Sequence, residues 1–309
     1  MEDKLYDVVI IGSGPAGITA SIYAARAELR CIVLEREPMS GGQIVNTYEV
    51  DNYPGLQGIN GFDMGMKFRE HADHLGAIHE YGEVEKVEDQ GAYKIIHLTN
   101  GEQIQTKTVI LATGAKYRKL MVPGELELTG MGVSYCATCD GAFFKNRVTA
   151  VIGGGDVAIE DAIFLARICK KVYVIHRRDE FRAAKTLSTR LMSMDNVEIC
   201  WNETVSNILG EEHVTGLRIK NVKTQEEREL EVDGVFIAVG TTPNSNMVEG
   251  IVAMDQGGYV VADETCKTSA PGIFAAGDVR TKHLRQVITA ASDGACAITS
   301  VENYLNLQE

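Results

Sequence analysis

Cys136 and Cys139 are the two residues of this sequence with the clearest capacity for chemistry, in the segment SYCATCDG at 134–141. Two cysteines at C-x-x-C spacing near the start of a helix form a short disulfide, and a helix N-terminus lowers the pKa of a thiol. Asp140 is a candidate proton donor or acceptor, because reducing a disulfide to two thiols takes up protons as well as electrons. The pattern predicts a redox dithiol.

Other interpretations of this segment are half of a zinc site, an inert pair of core cysteines, and Asp140 as a helix cap. A structural zinc needs four ligands, and the sequence has no second C-x-x-C and no histidine pair at zinc-finger spacing. The other cysteines are scattered singly, which is typical of small buried hydrophobic residues in a reducing compartment. They are Cys31, Cys169, Cys200, Cys266 and Cys296.

A glycine pattern near the N-terminus indicates a dinucleotide site. An apolar strand predicted over 4–11 precedes the G-x-G-x-x-G pattern at 12–17, a helix predicted over 18–30 and a strand over 31–34 that ends at Glu35. The glycines let the backbone approach a pyrophosphate at a helix N-terminus, where the unpaired N–H groups favour anions. The acid accepts hydrogen bonds from ribose hydroxyls, which suits the adenosine of FAD or NAD.

The same arrangement recurs at an offset of about 141 residues. A predicted strand over 147–152 leads into Gly-Gly-Gly-Asp-Val-Ala at 153–158, a helix rich in alanine and isoleucine, and a strand over 171–175. Ala158 at the third glycine position is an accepted variant of the pattern. The sequence therefore predicts two dinucleotide sites.

The second site differs from the first at the end of its second strand. The counterpart of Glu35 is His176, followed by Arg177 and Arg178, with Arg182 one helical turn further on. Arginines at this place suit an added phosphate through bidentate, charge-assisted bonds, whereas an acid would repel it. We therefore expect NADP at the second site, against the alternative of a solvated basic turn.

Two further segments resemble the pattern of flavoproteins with two dinucleotide sites. They are the predicted strand over 108–114, with a counterpart over 235–240, and the segment over 272–278 that ends in Gly277-Asp278. In such enzymes the Gly-Asp segment binds the ribityl chain and inner phosphate of FAD, so the end of the chain returns to the first site. We therefore expect an α/β fold of two three-layer Rossmann-like domains: an FAD domain formed by 1–115 and 246–309, and an NADPH domain over 116–245 inserted between them.

The whole chain resembles the low-molecular-weight, NADPH-dependent thioredoxin reductases of bacteria. The motifs that carry the resemblance are GSGPAG at 12–17, GGQ at 41–43, DNYPG at 51–55, ATG at 112–114, YCATCDG at 135–141, GGGDVAIE at 153–160, HRRDEFRA at 176–183 and GDVR…RQVITAASDG at 277–294. The resemblance implies a homodimeric flavoprotein that passes electrons from NADPH to FAD, to the dithiol and then to thioredoxin. It also implies that Cys139 is nearer the flavin, that Cys136 attacks thioredoxin, and that Asp140 is the acid.

The patterns and the resemblance together predict the residues that bind each cofactor. For FAD they are Gly12, Ser13, Gly14, Pro15, Ala16, Glu35, Arg36, Gly42, Gln43, Asn52, Ala112, Thr113, Gly114, Gly277, Asp278, Arg285, Gln286 and Val287. For NADPH they are Gly153, Gly154, Gly155, Asp156, Val157, His176, Arg177, Arg178 and Arg182. No metal is expected.

Composition narrows the classes further. The 309 residues carry a formal net charge of −13, which argues against a nucleic-acid or anionic-membrane binder. An N-terminus without a basic region or a continuous apolar run predicts neither a signal peptide nor a membrane span, so we expect a cytoplasmic protein. The length favours two domains.

The predicted function is NADPH-dependent thioredoxin-disulfide reduction. The dithiol and the NADPH pattern lie in one inserted domain, so we expect that domain to rotate between presenting the dithiol and the nicotinamide to the flavin. Alternatives are a reductase of another dithiol protein (glutaredoxin-like or peroxiredoxin-linked) and a non-enzymatic NADP redox sensor. Ferredoxin-linked relatives are set aside, since they lose the NADP pattern that this chain keeps.

Overall fold

The structure is a computed structural model that describes residues 5–47, 50 and 52–308. Lys4 of the first predicted strand and Asp51 of the DNYPG motif lie outside the described residues. The chain divides into two compact units: the first contains the chain up to Lys116 and from Thr242 onward, and the second is Tyr117–Thr241.

The chain first forms part of the first unit, then the second unit, and then returns to complete the first unit. The first pass contains β1 (Tyr6–Ile11), α1 (Pro15–Arg26), β2 (Cys31–Glu35), α2 (Gly61–His74), β3 (His79–Tyr81), β4 (Val84–Asp89), β5 (Lys94–Leu98), β6 (Gln103–Leu111) and β7 (Ala115–Tyr117). The second unit contains β8 (Val133–Ser134), α3 (Ala137–Asp140), β9 (Val148–Ile152), α4 (Asp156–Ala166), β10 (Lys171–His176), α5 (Lys185–Met192), β11 (Val197–Trp201), β12 (Glu203–Gly210), β13 (Val214–Asn221), β14 (Glu227–Glu231) and β15 (Gly234–Ile237). The return consists of β16 (Thr241–Pro243), β17 (Ile273–Ala275) and α6 (Val287–Asn306).

The first unit is built on a sheet that has seven strands among the described residues. Its order is β3-β2-β1-β6-β5-β4, and β17 pairs with the second half of β6. The strands β3, β2, β1, β6 and β17 run parallel, whereas β4 and β5 run antiparallel to their neighbours. The parallel strands therefore end along one edge of the sheet, where ligands of doubly wound folds bind.

The core of the first unit lies on both faces of this sheet. Along β1, Val8 and Ile10 belong to the cluster that contains the alanines of α1 and α6, and Val9 and Ile11 belong to the cluster on the other face. This alternation follows from the two-residue period of a strand. A strand buried on both faces needs a continuous apolar run, which is the pattern that predicted it.

The second unit repeats the parallel core and adds a separate antiparallel sheet. Its parallel sheet has the order β11-β10-β9-β15-β8, and β12, β13 and β14 form a three-stranded antiparallel sheet. α4 packs against the parallel sheet through small and branched side chains such as Ala158, Ile159 and Ala162. The predicted α/β class is confirmed, with a strand, a glycine loop, a helix and a strand in both units.

Element boundaries differ from the prediction by a few residues. α1 begins at Pro15, inside the glycine pattern, and ends at Arg26, four residues before the predicted end. It ends there because Glu28 has a φ of 55°, in the left-handed region that a helix does not continue through. The predicted strand over 272–278 is shorter, with β17 followed by a 3₁₀ turn over Gly277–Val279.

The sequence predicts that the five single cysteines are buried. Cys169, Cys200 and Cys266 are buried as expected, and Cys31 is partly buried, but Cys296 is exposed, so the expectation was wrong for Cys296. Cys296 lies on the outer face of α6, and a single cysteine in a sequence carries no information on its burial.

No helix in the described part of the chain combines the length and the apolarity needed to cross a membrane.

Candidate active site

The two cysteines of the C-x-x-C segment form a disulfide at the start of α3. Their sulfurs are bonded and their Cα atoms lie 5.3 Å apart. Cys136 is the N-cap of α3, and its carbonyl accepts the N–H groups of Cys139 (3.3 Å) and Asp140 (3.1 Å). A sulfur that is bonded to another sulfur offers no thiolate to a metal, so the disulfide argues against half of a zinc site.

Asp140 is held beside this disulfide by Ser134. The Ser134 hydroxyl donates to Oδ2 of Asp140 at 2.5 Å and accepts the N–H of Cys136 at 3.0 Å. Oδ1 of Asp140 is buried and has no hydrogen-bond partner in the described structure. Burial raises the pKa of Asp140, and the bond from Ser134 partly opposes that rise. A buried carboxyl with a raised pKa is suited to donating a proton.

Glu125 is a buried carboxylate that the sequence analysis missed, and it is bonded to Tyr135, the residue immediately before Cys136. It accepts the N–H groups of Leu120 (2.9 Å) and Met121 (2.7 Å) and the hydroxyl of Tyr135 (2.9 Å). The Tyr135 ring stacks on Tyr117, with ring centroids 5.3 Å apart. Burial, and then the neighbouring Glu125 carboxylate, raises the pKa of Tyr135 to about 12. No sequence signal marks Glu125, because it lies in a charged loop without periodicity.

The first glycine loop leaves an open space at the N-terminus of α1. A side chain at Gly12 would meet the carbonyl of Ala112 at 2.6 Å, and one at Gly17 would collide with the carbonyl of Gly12. Beside Gly14, in contrast, the nearest atom is the Cα of Gly42 at 3.9 Å, and no side chain caps the helix. Uncapped N–H groups facing open space fit a pyrophosphate.

The acid predicted to bind ribose lies next to this loop. Oε2 of Glu35 accepts both the N–H (2.7 Å) and the hydroxyl (2.8 Å) of Ser13, and Oε1 accepts the N–H of Glu37 at 3.0 Å. Arg36 pairs with Glu37 at 3.4 Å on the surface. The end of β2 and the glycine loop are therefore joined directly, as the spacing of the pattern requires.

Most of the other predicted FAD residues gather at the same edge of the first unit. Thr113 and Asn244 bond each other twice, at 2.6 Å and 2.8 Å, and Gln43 donates to the carbonyl of Ala115. Asn52 donates to Gln286 at 2.9 Å, and Gln286 caps α6 immediately before Val287. The bonds of Thr113 and Asn52 join the first part of the chain to residues 131 and 234 positions further along, which is the return of the chain to the first site.

The Gly277–Val279 turn adds a buried carboxyl to this edge. Oδ1 of Asp278 is buried and has no hydrogen-bond partner among the described residues, and burial raises its pKa. Nε of Arg285 is likewise buried without a partner there, while its guanidinium lies 4.2 Å from the ring centre of Tyr259. Polar atoms left unpaired in a buried position fit a polar ligand such as the hydroxyls of a ribityl chain.

The second glycine loop has the same construction. A side chain at Gly153 would collide with the carbonyl of Ala238, whereas Gly155, the N-cap of α4, faces open space within 4 Å. The basic turn is tied to this loop by two bonds: the N–H of Arg182 donates to Gly154 at 2.8 Å, and the N–H of Ala184 donates to Asp156 at 2.7 Å. The spacing between pattern and arginines therefore produces one local site.

His176 and the arginines after it have different surroundings. The His176 ring is buried against Gly154, Phe181 and Trp201, its Nε2 lies 3.0 Å from the carbonyl of Glu180, and burial lowers its pKa. The side chains of Arg177, Arg178 and Arg182 are exposed, as is that of Val157. Cationic groups beside an uncapped helix N-terminus fit a phosphate, and His176 supports the turn that presents them.

Comparison with known proteins agrees with this construction. The family model described as pyridine nucleotide-disulphide oxidoreductase matches residues 6–294. The chain is 44% identical over 310 residues to "Thioredoxin reductase" of Bacillus subtilis, covering 100% of this chain and 98% of that protein. The matches define a flavin-dependent oxidoreductase of the pyridine nucleotide-disulphide class.

Two solved structures that are similar to this chain are both thioredoxin reductases. Thioredoxin reductase from Streptococcus pyogenes is 46% identical, covers 99% of this chain with 100% of its own, and superposes with a TM-score of 0.94. Thioredoxin reductase from Lactococcus lactis, described as the FR conformation, is 44% identical over 98% of this chain and 99% of its own, with a TM-score of 0.68. The chain belongs to the thioredoxin reductase family. Membership confirms the predicted enzyme class and the predicted cofactors, FAD and NADPH.

Proposed function

We propose that this enzyme reduces the disulfide of thioredoxin with electrons from NADPH. The observation that carries the proposal is the Cys136–Cys139 disulfide with the buried carboxyl of Asp140 close by, in the same unit as the second glycine loop and its basic turn. The relatives named thioredoxin reductase, similar over the full length, support thioredoxin as the acceptor. The first unit is the FAD domain and the second the NADPH domain.

The chain's own residues hold FAD in the first unit. Gly12, Gly14 and the uncapped N-terminus of α1 receive the pyrophosphate, and Glu35 receives the adenosine ribose, exchanging the bonds that it now takes from Ser13. Asp278 offers its unpaired oxygen to the ribityl chain. Bound FAD would take two electrons from NADPH and deliver them to the disulfide.

In the second unit, the glycine loop and α4 receive the pyrophosphate of NADPH. The side chains of Arg177, Arg178 and Arg182 take the added phosphate on the ribose. The guanidinium groups are exposed beside the loop, so they distinguish NADPH from NADH through charge-assisted bonds to the added phosphate, which NADH lacks.

The dithiol chemistry balances with one proton from Asp140 and one from solvent. Two electrons break the Cys136–Cys139 bond, and each sulfur takes up one of these protons. Cys136 next returns its proton to the Asp140 carboxylate, and its thiolate attacks one sulfur of the acceptor disulfide and displaces the other, which is then protonated. Cys139 attacks the mixed disulfide, which releases the acceptor as a dithiol and restores the Cys136–Cys139 bond.

A rotation of the second unit between two half-reactions is part of the proposal. The two relatives of nearly equal identity, 46% and 44%, superpose with TM-scores of 0.94 and 0.68, a difference that a rearrangement of units within the family would produce. A cross-link between the units should abolish turnover and spare one half-reaction. If turnover and both half-reactions survive the cross-link, the rotation is wrong.

Membership of the family supports a proposal for assembly and compartment. We propose a cytoplasmic homodimer, which analytical ultracentrifugation and fractionation test. The competing acceptors are glutaredoxin-like and peroxiredoxin-linked proteins, because the C-x-x-C motif does not distinguish among dithiol proteins.

The deciding experiment is an NADPH-dependent DTNB assay with thioredoxin, run beside a glutaredoxin-like and a peroxiredoxin-linked acceptor. We expect turnover with thioredoxin and none without it. A Cys136→Ser protein should still be reduced at FAD by NADPH but fail to reduce thioredoxin, and Cys296→Ser, at an exposed thiol outside the site, is the matched control. Turnover only with another acceptor would replace thioredoxin as the substrate, and no turnover at all would favour a redox sensor.

A further inference from the structure

A buried cluster of charges lies behind the Gly277–Val279 turn, and the proposed function gives it no role. Asp293, in the second turn of α6, is 6% exposed, and Arg280 is 4% exposed. The side chain of Lys282 is 7% exposed. Three charged side chains at this degree of burial are rare in proteins and persist only where they satisfy one another.

Asp293 is the centre of the cluster and uses both carboxylate oxygens. Oδ2 accepts the N–H of Gly277, Nε of Arg280 and Nζ of Lys282, each at 2.8 Å, and Oδ1 accepts Nη2 of Arg280 at 2.9 Å. The bond to Gly277 is the important one, because it holds the backbone of the residue immediately before Asp278. Two cations and one carboxylate leave the cluster with a net charge of +1.

The turn that carries Asp278 is confined from its other sides as well. Gly277 has a φ of 78°, and a side chain there would meet Cβ of Ala16, in the first turn of α1, at 3.0 Å. A side chain at Gly294, next to Asp293, would collide with the carbonyl of Ala16. The start of α1, the Gly277–Val279 turn and the second turn of α6 therefore pack together in one place.

Asp278 itself is electrostatically connected to the cluster. Burial raises the pKa of Asp278, the positive charges of Lys282 and Arg285 lower it, and the negative charge of Asp293 raises it. The oxygen Oδ1 of Asp278 has no partner among the described residues, whereas every oxygen of Asp293 is occupied. The buried, unpaired oxygen of Asp278 is thus left for a ligand, whereas both oxygens of Asp293 are used within the cluster.

We propose that Asp293 is a positioning residue of the flavin site. It fixes the Gly277–Val279 turn, so that Asp278 presents its free oxygen to FAD, and it sets the charge behind that turn by pairing with Arg280 and only partly neutralising Lys282. The inference rests on the proposed placement of FAD in the first unit. A purely structural ion cluster is the alternative, and it would stabilise α6 without affecting the cofactor.

The test uses two substitutions that change the cluster charge in opposite directions. Asp293→Asn keeps the shape and makes the net charge more positive, whereas Lys282→Gln makes it more negative. We measure the FAD dissociation constant of the apoprotein by quenching of flavin fluorescence, and the flavin potential of the loaded protein against a reference dye. Asp293→Asn should weaken FAD binding on the order of tenfold to a hundredfold, the loss expected when a charged hydrogen-bond partner is removed.

The redox potential of the flavin distinguishes the proposed role of Asp293 from that of a purely structural ion cluster. A more positive surrounding favours the added electrons, so Asp293→Asn should raise the potential and Lys282→Gln should lower it. Asp7→Asn is the matched control, because Asp7 also accepts a lysine (Lys107, 2.8 Å) and a backbone N–H (Arg30, 3.0 Å) in the first unit, at the other end of β1. It should change neither quantity.

Each outcome decides the question. If wild-type apoprotein does not bind FAD, the proposed function fails; if it binds FAD and both variants keep its affinity within twofold and its potential, the positioning role fails. Shifts of the same sign in both variants would also overturn it. If Asp293→Asn does not fold, Lys282→Gln alone decides through the predicted fall in potential, and Asp293→Glu should restore part of the FAD affinity.

Discussion

The Ser134 hydroxyl donates to Oδ2 of Asp140 at 2.5 Å, six residues along the chain and beside the disulfide. Burial raises the pKa of Asp140, and this bond lowers it because it stabilises the carboxylate form. The pair therefore sets the pH at which Asp140 loses its proton, which we propose is the proton that the dithiol reaction uses.

Replacing either member of this pair should change the pH profile of thioredoxin reduction in a distinct way. In Ser134→Ala the pKa of Asp140 rises further, so the loss of kcat/KM on raising the pH should move to higher pH. Asp140→Asn should remove that limb and reduce kcat/KM by about a hundredfold or more. Ser206→Ala, which removes a hydroxyl on β12 that donates to the carbonyl of Arg218 on β13, is the control and should leave the profile unchanged. A downward shift in Ser134→Ala would contradict the assignment.

The basic turn after β10 should determine the choice between NADPH and NADH. Changing Arg177 and Arg178 together to glutamine removes two exposed cations that lie beside the uncapped start of α4. We expect KM for NADPH to rise about tenfold to a hundredfold while KM for NADH changes little, since NADH lacks the added phosphate. Arg190→Gln, on α5, is the matched control for loss of surface charge. An equal rise in both KM values would contradict the assignment of Arg177 and Arg178 to the added phosphate of NADPH.

The fold was predictable from the sequence wherever a local pattern carries it. Continuous apolar runs predicted β1 and β9, and the glycine spacing predicted the loops at Gly12 and Gly153, because each pattern reflects a local steric or hydrogen-bonding need. The antiparallel sheet of β12, β13 and β14 was not predicted, since its strands carry irregular apolar patterns, such as Glu-Arg-Glu-Leu-Glu in β14, and no ligand motif.

Only the candidate site residues that belong to sequence motifs were predictable. Cys136 and Glu35 belong to recognisable motifs, but Glu125 and Asp293 form their hydrogen bonds with residues that are distant in the chain or lack any pattern. A buried carboxylate that accepts three or four hydrogen bonds cannot be distinguished, in a sequence, from a solvated one. Residues such as Glu125 and Asp293 can therefore be identified only from the three-dimensional structure.

Asp161 on α4 should make the enzyme less stable as the pH rises. Burial, and then the charge of Glu160, raises the pKa of Asp161 to about 7, from 3.8. The folded state therefore binds more protons than the unfolded state between about pH 4 and pH 7, and the free energy of unfolding falls across that interval. In Asp161→Asn this loss disappears, so the variant should gain on the order of 1 kcal/mol, or a few degrees in Tm, above pH 7.

The measurement is the difference in Tm between Asp161→Asn and wild type at pH 5 and pH 8. The gain should be larger at pH 8. Glu160→Gln, at the exposed neighbouring position, is the control and should give a smaller change, because it removes only the secondary cause of the shift. A gain that is equal at both pH values would show that Asp161 titrates normally.

His79 should do the opposite and weaken the first unit in acid. Neither of its ring nitrogens has a hydrogen-bond partner in the described structure, and burial, followed by the charge of Arg69, lowers the pKa of His79 to about 4, from 6.5. Between about pH 6.5 and pH 4 the unfolded state binds more protons, so stability falls as the pH falls through that interval.

His79→Phe keeps a flat ring and removes both the unpaired nitrogens and the titration, so it should raise Tm more at pH 5 than at pH 7.5. His283→Phe is the control, because His283 is exposed. At pH 7.5 the gain of His79→Phe reflects only the removal of unpaired nitrogens, whereas at pH 5 it also includes the proton that unfolded wild type binds. A smaller gain at pH 5 than at pH 7.5 would mean that the folded protein protonates His79 readily, and that an ionic partner such as Asp73, whose Oδ1 lies 3.8 Å from Nδ1, compensates for its burial.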